Sequence, residues 1–140
     1  MLVSTHLADG ERGRVAARRN KQTVQVVNVV KSLRNRFGGQ VILAGDLNST
    51  VNTKPYNTVQ YALLKRGFYD SFASARIVNS RFGTTNNFAF PVRATPHRRD
   101  YIFTYGGTRG SCRYVNRAYT RPSQTASDHF MQVATVPVSG

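Results

Sequence analysis

The sequence has 140 residues, with 20 Lys or Arg against 6 Asp or Glu and a formal net charge of +14. That length suits one domain rather than two, and a hydrophobic content of 40% excludes a disordered basic tail. The lone cysteine, Cys112, excludes an intrachain disulfide framework, and there is no apolar run of about 18 residues to span a membrane.

Leu2 to Leu7 reads as a short strand that Asp9-Gly10 breaks. Its opening, Met1-Leu-Val-Ser-Thr-His6, has neither the basic region nor the long apolar run of a signal peptide. The compartment stays open. Glu11 to Arg36 reads as one long helix, with Val15, Gln22, Val26, Val29, Val30, Leu33 and Phe37 recurring at helical spacing. Glu11 suits its positive end, Arg34 and Arg36 its negative end, and Gly38-Gly39 stops it. Val41 to Gly45 is continuously apolar, as a strand covered on both faces would be, and runs into Asp46. Pro55 to Arg66 is a second helix with Pro55 in its first turn. Phe68 to Phe72 is a short extended piece, and Asn79 to Arg99 a loop packed down by its phenylalanines. Tyr101 to Tyr105 is a strand, Gly106 to Gly110 a hairpin turn, Cys112 to Tyr119 another strand, and Met131 to Val138 a last strand with Met131, Val133 and Thr135 on one face. Helices alternating with a buried strand point to an α/β layer architecture.

With so few acids, their positions are informative. Asp46 ends the most apolar strand in Gly45-Asp46-Leu47-Asn48, Asp100 opens a strand in Arg98-Arg99-Asp100-Tyr101-Ile102-Phe103, and Asp128 stands in Ser127-Asp128-His129 before the last strand. A carboxylate at the end of a buried strand is costly unless it is hydrogen-bonded, paired or bound to metal, and α/β sites gather where strands end. Asp70 reads as a structural carboxylate, His97 as an exposed loop residue and Cys112 as a small packed one. The charge reads equally as a solvated Arg-rich surface or as a footprint for an anionic partner.

These motifs, in this order, resemble the C-terminal half of the endonuclease/exonuclease/phosphatase, or deoxyribonuclease-I-like, superfamily. Ser4-Thr5-His6-Leu7, the helix pair Arg19 and Gln22, and Gly67-Phe68-Tyr69-Asp70 resemble further segments of it. The resemblance runs through nearly all of the chain. It implies half of a four-layer α/β sandwich, a mixed or antiparallel sheet with helices on one face. It also implies hydrolysis of a phosphoester with Mg²⁺ or Mn²⁺. By resemblance, Asp46 with Asn48 activates the attacking water, Asp128 and Asp46 are on the metal side, and His129 stabilises the phosphate. Asp100 then pairs with His129, and His6 contacts the phosphate and serves the leaving oxygen; a strand-end histidine bonded to a backbone carbonyl is the other reading of His6. The charge favours a phosphodiester such as DNA or RNA.

The family's N-terminal half, with its metal-binding Glu, has no counterpart here. Residues 1–140 therefore read as a partial domain that leaves an apolar sheet face bare, and that self-associates or needs the missing half. The other readings are a truncated, non-catalytic remnant binding nucleic acid or a partner chain, and a sphingomyelinase- or phosphatase-type member of the same superfamily. A calcineurin-like metallophosphoesterase lacks its Asp-x-His and Gly-Asn-His blocks here.

Overall fold

A computed structural model describes residues 1–10, 13–50, 58–95, 97–110 and 113–138. The sequence expectations for Glu11, Pro55 and Cys112 lie outside the described residues. The elements are β1 (Leu2–His6), α1 (Gly13–Phe37), β2 (Val41–Asp46), α2 (Thr58–Lys65), β3 (Tyr69–Asp70), β4 (Ile77–Val78), β5 (Asp100–Tyr105), β6 (Arg113–Arg117) and β7 (Met131–Thr135), with a 3₁₀ turn at Pro122–Gln124. Among the described residues no helix is long and apolar enough to cross a membrane.

The chain makes two sheets. One has the order β1-β2-β5-β3, the other β4-β6-β7. β1 runs parallel to β2, as the helical crossover between them requires, and β5 runs antiparallel to both β2 and β3. Val41, Leu43, Tyr101 and Phe103 point to one face of the larger sheet, where α1 and α2 cover them with Val27, Val30, Val59 and Leu63. The helices thus lie on one face, as the sequence implies.

Three expectations change. Gly106 to Gly110 is not a hairpin turn, because β5 and β6 lie in different sheets. Both edges of β5 are already occupied by β2 and β3, so β6 has nowhere to pair and the chain crosses over. The second face of the larger sheet is not wholly bare, since β7 packs near β5 and Phe72 meets Tyr114 edge-on at 5.1 Å between ring centroids. The helical stripe of α1 is shifted: its buried line is Arg19, Thr23, Val27 and Val30, while Val29 and Phe37 are exposed. Arg19 is buried because its guanidinium donates to the carbonyls of Ala8 and Gly10 and so ties the β1–α1 turn to the helix. Gln22 completes that tie by accepting the Ala8 N–H at 2.9 Å.

Asp70 behaves as the structural carboxylate expected. It accepts the Phe72 N–H at 2.9 Å and pairs at 2.6 Å with Arg98, whose buried guanidinium also lies over the rings of Phe72 and Tyr101. Asp70→Ala would leave that cation buried without a counter-ion. The expected loss is about 3 kcal/mol of unfolding free energy, read by urea denaturation; a loss no larger than a surface pair gives would show that water reaches Arg98.

Candidate active site

The continuously apolar β2 places its last residue, Asp46, at the rim of the larger sheet. Strand pairing then sets its neighbours: His6 of β1 and Asp100 of β5 both lie opposite Asp46. His129 comes from the other sheet, at the entrance to β7. It is fixed by a bridge to Thr85, by its own N–H donating to Ser127 Oγ at 3.0 Å, and by the Phe130 N–H donating to the Thr84 carbonyl at 2.8 Å. Each sheet therefore delivers part of one cluster.

His129 Nδ1 lies 2.8 Å from Asp100 Oδ2, while its Nε2 faces Asp46 Oδ2 at 3.8 Å. His6 Nε2 approaches the same Asp46 oxygen at 3.6 Å. The other Asp46 oxygen, Oδ1, accepts the Asn48 backbone N–H at 2.7 Å. One oxygen of Asp46 is thus anchored, and the other stands between two imidazoles beyond ordinary hydrogen-bond length. His6 is 73% exposed and Asp46 12%. His6 Nε2 faces this carboxylate.

Desolvation by burial raises the Asp46 carboxyl above its ordinary value, and the nearby Asp100 charge adds to this; the Asn48 N–H and the two histidines oppose it. A carboxyl raised in the folded state binds its proton more tightly there than in the unfolded chain. Asp46 therefore costs stability above its folded pKa, and that cost disappears as pH falls below the unfolded value, near 3.8. Asp46→Asn is expected to raise the melting temperature at neutral pH in EDTA, with the gain vanishing in strong acid. An equal or lower melting temperature at neutral pH would show that the carboxylate is stabilised as the anion.

Asn48 is buried, with φ of 46°, and both ends of its amide are engaged. Nδ2 donates to the Leu7 carbonyl at 2.9 Å and Oδ1 accepts from Arg99 at 3.3 Å. Its contact with Asp46 is through the backbone, so it orients the carboxylate and locks β1 to the β2 turn. Asp128, half-buried, takes the Ser127 hydroxyl at 3.5 Å, and its carbonyl accepts the Asn86 N–H. The three-residue group close enough to share a cation among the described residues is Asp46, Asp100 and His129, all within 4.8 Å; Asp128 is outside it.

Two further contributors are not among the candidate site residues of the sequence. Thr84 is fully buried, and its hydroxyl accepts the N–H groups of both Arg99 and Asp100, at 2.8 and 3.0 Å, which sets the start of β5. Arg99 bridges Asn48 and Asp9, each at 3.3 Å, and brings a cation to the rim. The Arg98-Arg99-Asp100 run hinted at Arg99, whereas nothing distinguished Thr84 from any loop threonine. His97 is exposed, as expected.

The donor set fits a hard divalent cation in kind: carboxylate oxygens at a rim where burial, and then the second acid, raise one carboxyl. It is incomplete in number, since Asp100 is committed to His129 and leaves Asp46 as the free member of the cluster.

Two mixed sheets, helices outside one of them and a carboxylate–histidine cluster at the rim between them make an α/β arrangement whose fold matches part of endonuclease/exonuclease/phosphatase family structures. No family model and no curated protein matches the sequence. Among solved structures, an endonuclease/exonuclease/phosphatase family protein from Bacteroides thetaiotaomicron is 25% identical, with a TM-score of 0.67, matching 92% of this chain and 45% of its own. A mannosyl-6-phosphatase from the same organism is 24% identical with a TM-score of 0.67, over 94% and 50% of the two chains. Sphingomyelinase C from Streptomyces griseocarneus is 18% identical with a TM-score of 0.56, over 96% and 48%. The chain spans about half the length of the structures it matches.

Proposed function

We propose that this chain supplies the histidine–carboxylate half of a divalent-metal-dependent phosphoester hydrolase, acting on a phosphodiester in nuclease fashion. The observation that carries the reading is Asp46 Oδ2, set between two imidazole Nε2 atoms at 3.6 and 3.8 Å, one of them anchored by Asp100. Asp46 takes a proton from water as the water oxygen bonds to phosphorus. The bond from phosphorus to the leaving oxygen breaks, and His6 supplies that oxygen with a proton. His129, with Nδ1–H held on Asp100, donates from Nε2 to a non-bridging phosphate oxygen and stabilises its developing charge. Mg²⁺ or Mn²⁺, which Asp46 and, by the resemblance, Asp128 would hold, would offset the anionic charge of the ester and polarise it. The Arg-rich surface draws such a substrate in.

We read residues 1–140 as part of a larger domain. β1 is an edge strand, Leu2 on it is 71% exposed, and Val24 and Val29 are exposed on α1. The remainder of such a domain would cover this edge.

The test is hydrolysis of bis(p-nitrophenyl) phosphate, p-nitrophenyl phosphate and plasmid DNA with Mg²⁺ or Mn²⁺, against Asp46→Ala and His129→Ala. Diester turnover that needs the metal and both side chains is the expected result. Faster monoester turnover would favour the phosphatase-type reading. Salt-sensitive DNA binding without turnover, unchanged in either variant, would overturn the enzyme reading in favour of a binding remnant.

A further inference from the structure

The end of the larger sheet opposite Asp46 carries a second cluster of charge. Val41 pairs with Tyr105 there, five residue steps from the Asp46–Asp100 pair, roughly 17 Å along the strand. A cleft of about 310 Å³ opens at this end, lined by Arg34 from the last turn of α1, Arg66 beyond α2, and Tyr105, Gly106, Gly107 and Arg109. Three guanidiniums share it and no acid lines it. Among the described residues none of the three is in a salt bridge with a carboxylate. Arg34 is held in place by donating to the carbonyls of Gly39 and Gly106, and Arg66 by donating to the Ala62 carbonyl at 3.0 Å.

A second observation points the same way. Gln40, directly before β2, is 6% exposed, and neither Nε2 nor Oε1 of its amide has a hydrogen-bond partner. Buried amides are rarely left so. That amide stands against Gly107 on the cleft wall: a Cβ on Gly107 would lie 2.7 Å from Gln40 Nε2.

We infer that this cleft is a phosphate-binding site remote from the hydrolytic cluster, with Arg34, Arg66 and Arg109 countering the charge and the Gln40 amide donating to a phosphate oxygen. Guanidiniums present paired N–H donors that match phosphate oxygens. The seated phosphate belongs either to a small ion or ester or to the backbone of a nucleic-acid strand.

The test is calorimetric titration of the protein with inorganic phosphate in EDTA. The Arg66→Gln/Arg109→Gln double variant is expected to bind about tenfold more weakly, about 1.4 kcal/mol, with His129→Gln measured beside it to report phosphate held at the hydrolytic cluster. Gln40→Leu should weaken phosphate binding and yet raise the melting temperature of the free protein, because the orphaned amide is gone; a residue that merely packs would not move these two readouts in opposite directions. Anisotropy of a labelled single-stranded oligonucleotide separates the sources. If the double variant weakens it in parallel, and phosphate competes, the phosphate is a strand's; if oligonucleotide binding is unchanged, it is a small anion's. Phosphate affinity equal in wild type and double variant, or sensitive only to His129→Gln, overturns the site, as does a wild type that binds no phosphate.

Discussion

On the proposed reading, Asp100→Asn is expected to lower phosphoester hydrolysis by about a thousandfold while leaving the fold and substrate affinity near those of the wild type. The carboxylate does two things through one contact of 2.8 Å. It accepts the Nδ1–H of His129, which fixes the orientation of the ring, and it leaves Nε2 as the atom facing Asp46. An asparagine is nearly the same shape but offers the ring either an acceptor or a donor. When the donor faces Nδ1, the ring keeps one proton, on Nε2, and no carboxylate charge stands behind it. In serine proteases the equivalent change costs about 10⁴ in kcat; a smaller factor is expected here because His129 stabilises charge rather than making the nucleophile. Steady-state kinetics distinguish this from a packing defect: kcat should fall in Asp100→Asn with KM and the melting temperature steady. A variant with wild-type rate, beside an inactive His129→Ala, would remove Asp100 from the mechanism.

How much of this was legible in the sequence differs between fold and site. The β1–α1–β2 unit was readable because the apolar run from Val41 to Gly45 and the glycine pair after α1 are local signals with local causes. The second sheet was not: β4 has two residues, and its place depends on β5 having no free edge, a fact of topology rather than of any residue. The same holds inside α1, where a periodic count favours Val29 and Phe37 although tertiary hydrogen bonds draw Arg19 inward. For the site, Asp46, Asp100 and His129 stood out because acids are scarce and each ends or begins a strand. Their meeting across two sheets, and the hidden support from Thr84, rest on contacts between residues far apart in the chain. Asp128 shows the converse, a strong motif position whose carboxylate the structure keeps within its own turn. The remote arginine cleft left no motif at all, since Arg34, Arg66 and Arg109 come together only when the ends of α1, α2 and β5 meet.

Gly45 gives the sharpest link from one residue to both fold and site. Its φ is +144°, and a Cβ there would lie 1.8 Å from the Thr5 carbonyl oxygen, 2.9 Å from its carbon and 3.0 Å from its nitrogen. These are backbone atoms of the strand that Gly45 pairs with, so no rotamer change can relieve the overlap. The β1–β2 ladder must open one step from the His6–Asp46 pair. Gly45→Ala is therefore expected to cost about 3 kcal/mol or more of stability, roughly a 10 °C fall in melting temperature for a chain of this size. Hydrolysis should fall further than the folded fraction does, because the 3.6 Å approach of His6 to Asp46 depends on that register. Gly110→Ala is the matched control. Its φ of +149° imposes a similar backbone strain, but nothing lies within 4 Å of its Cβ position. That variant should lose only about 1 kcal/mol, the cost of the strained conformation alone, and keep full activity. Equal losses in the two variants would assign the effect to backbone strain and remove the β1–β2 contact as the reason for glycine before Asp46. A larger loss in Gly45→Ala, with folded protein still present but His6 no longer needed for the residual rate, would show that close strand packing at Gly45 is what holds His6 against Asp46.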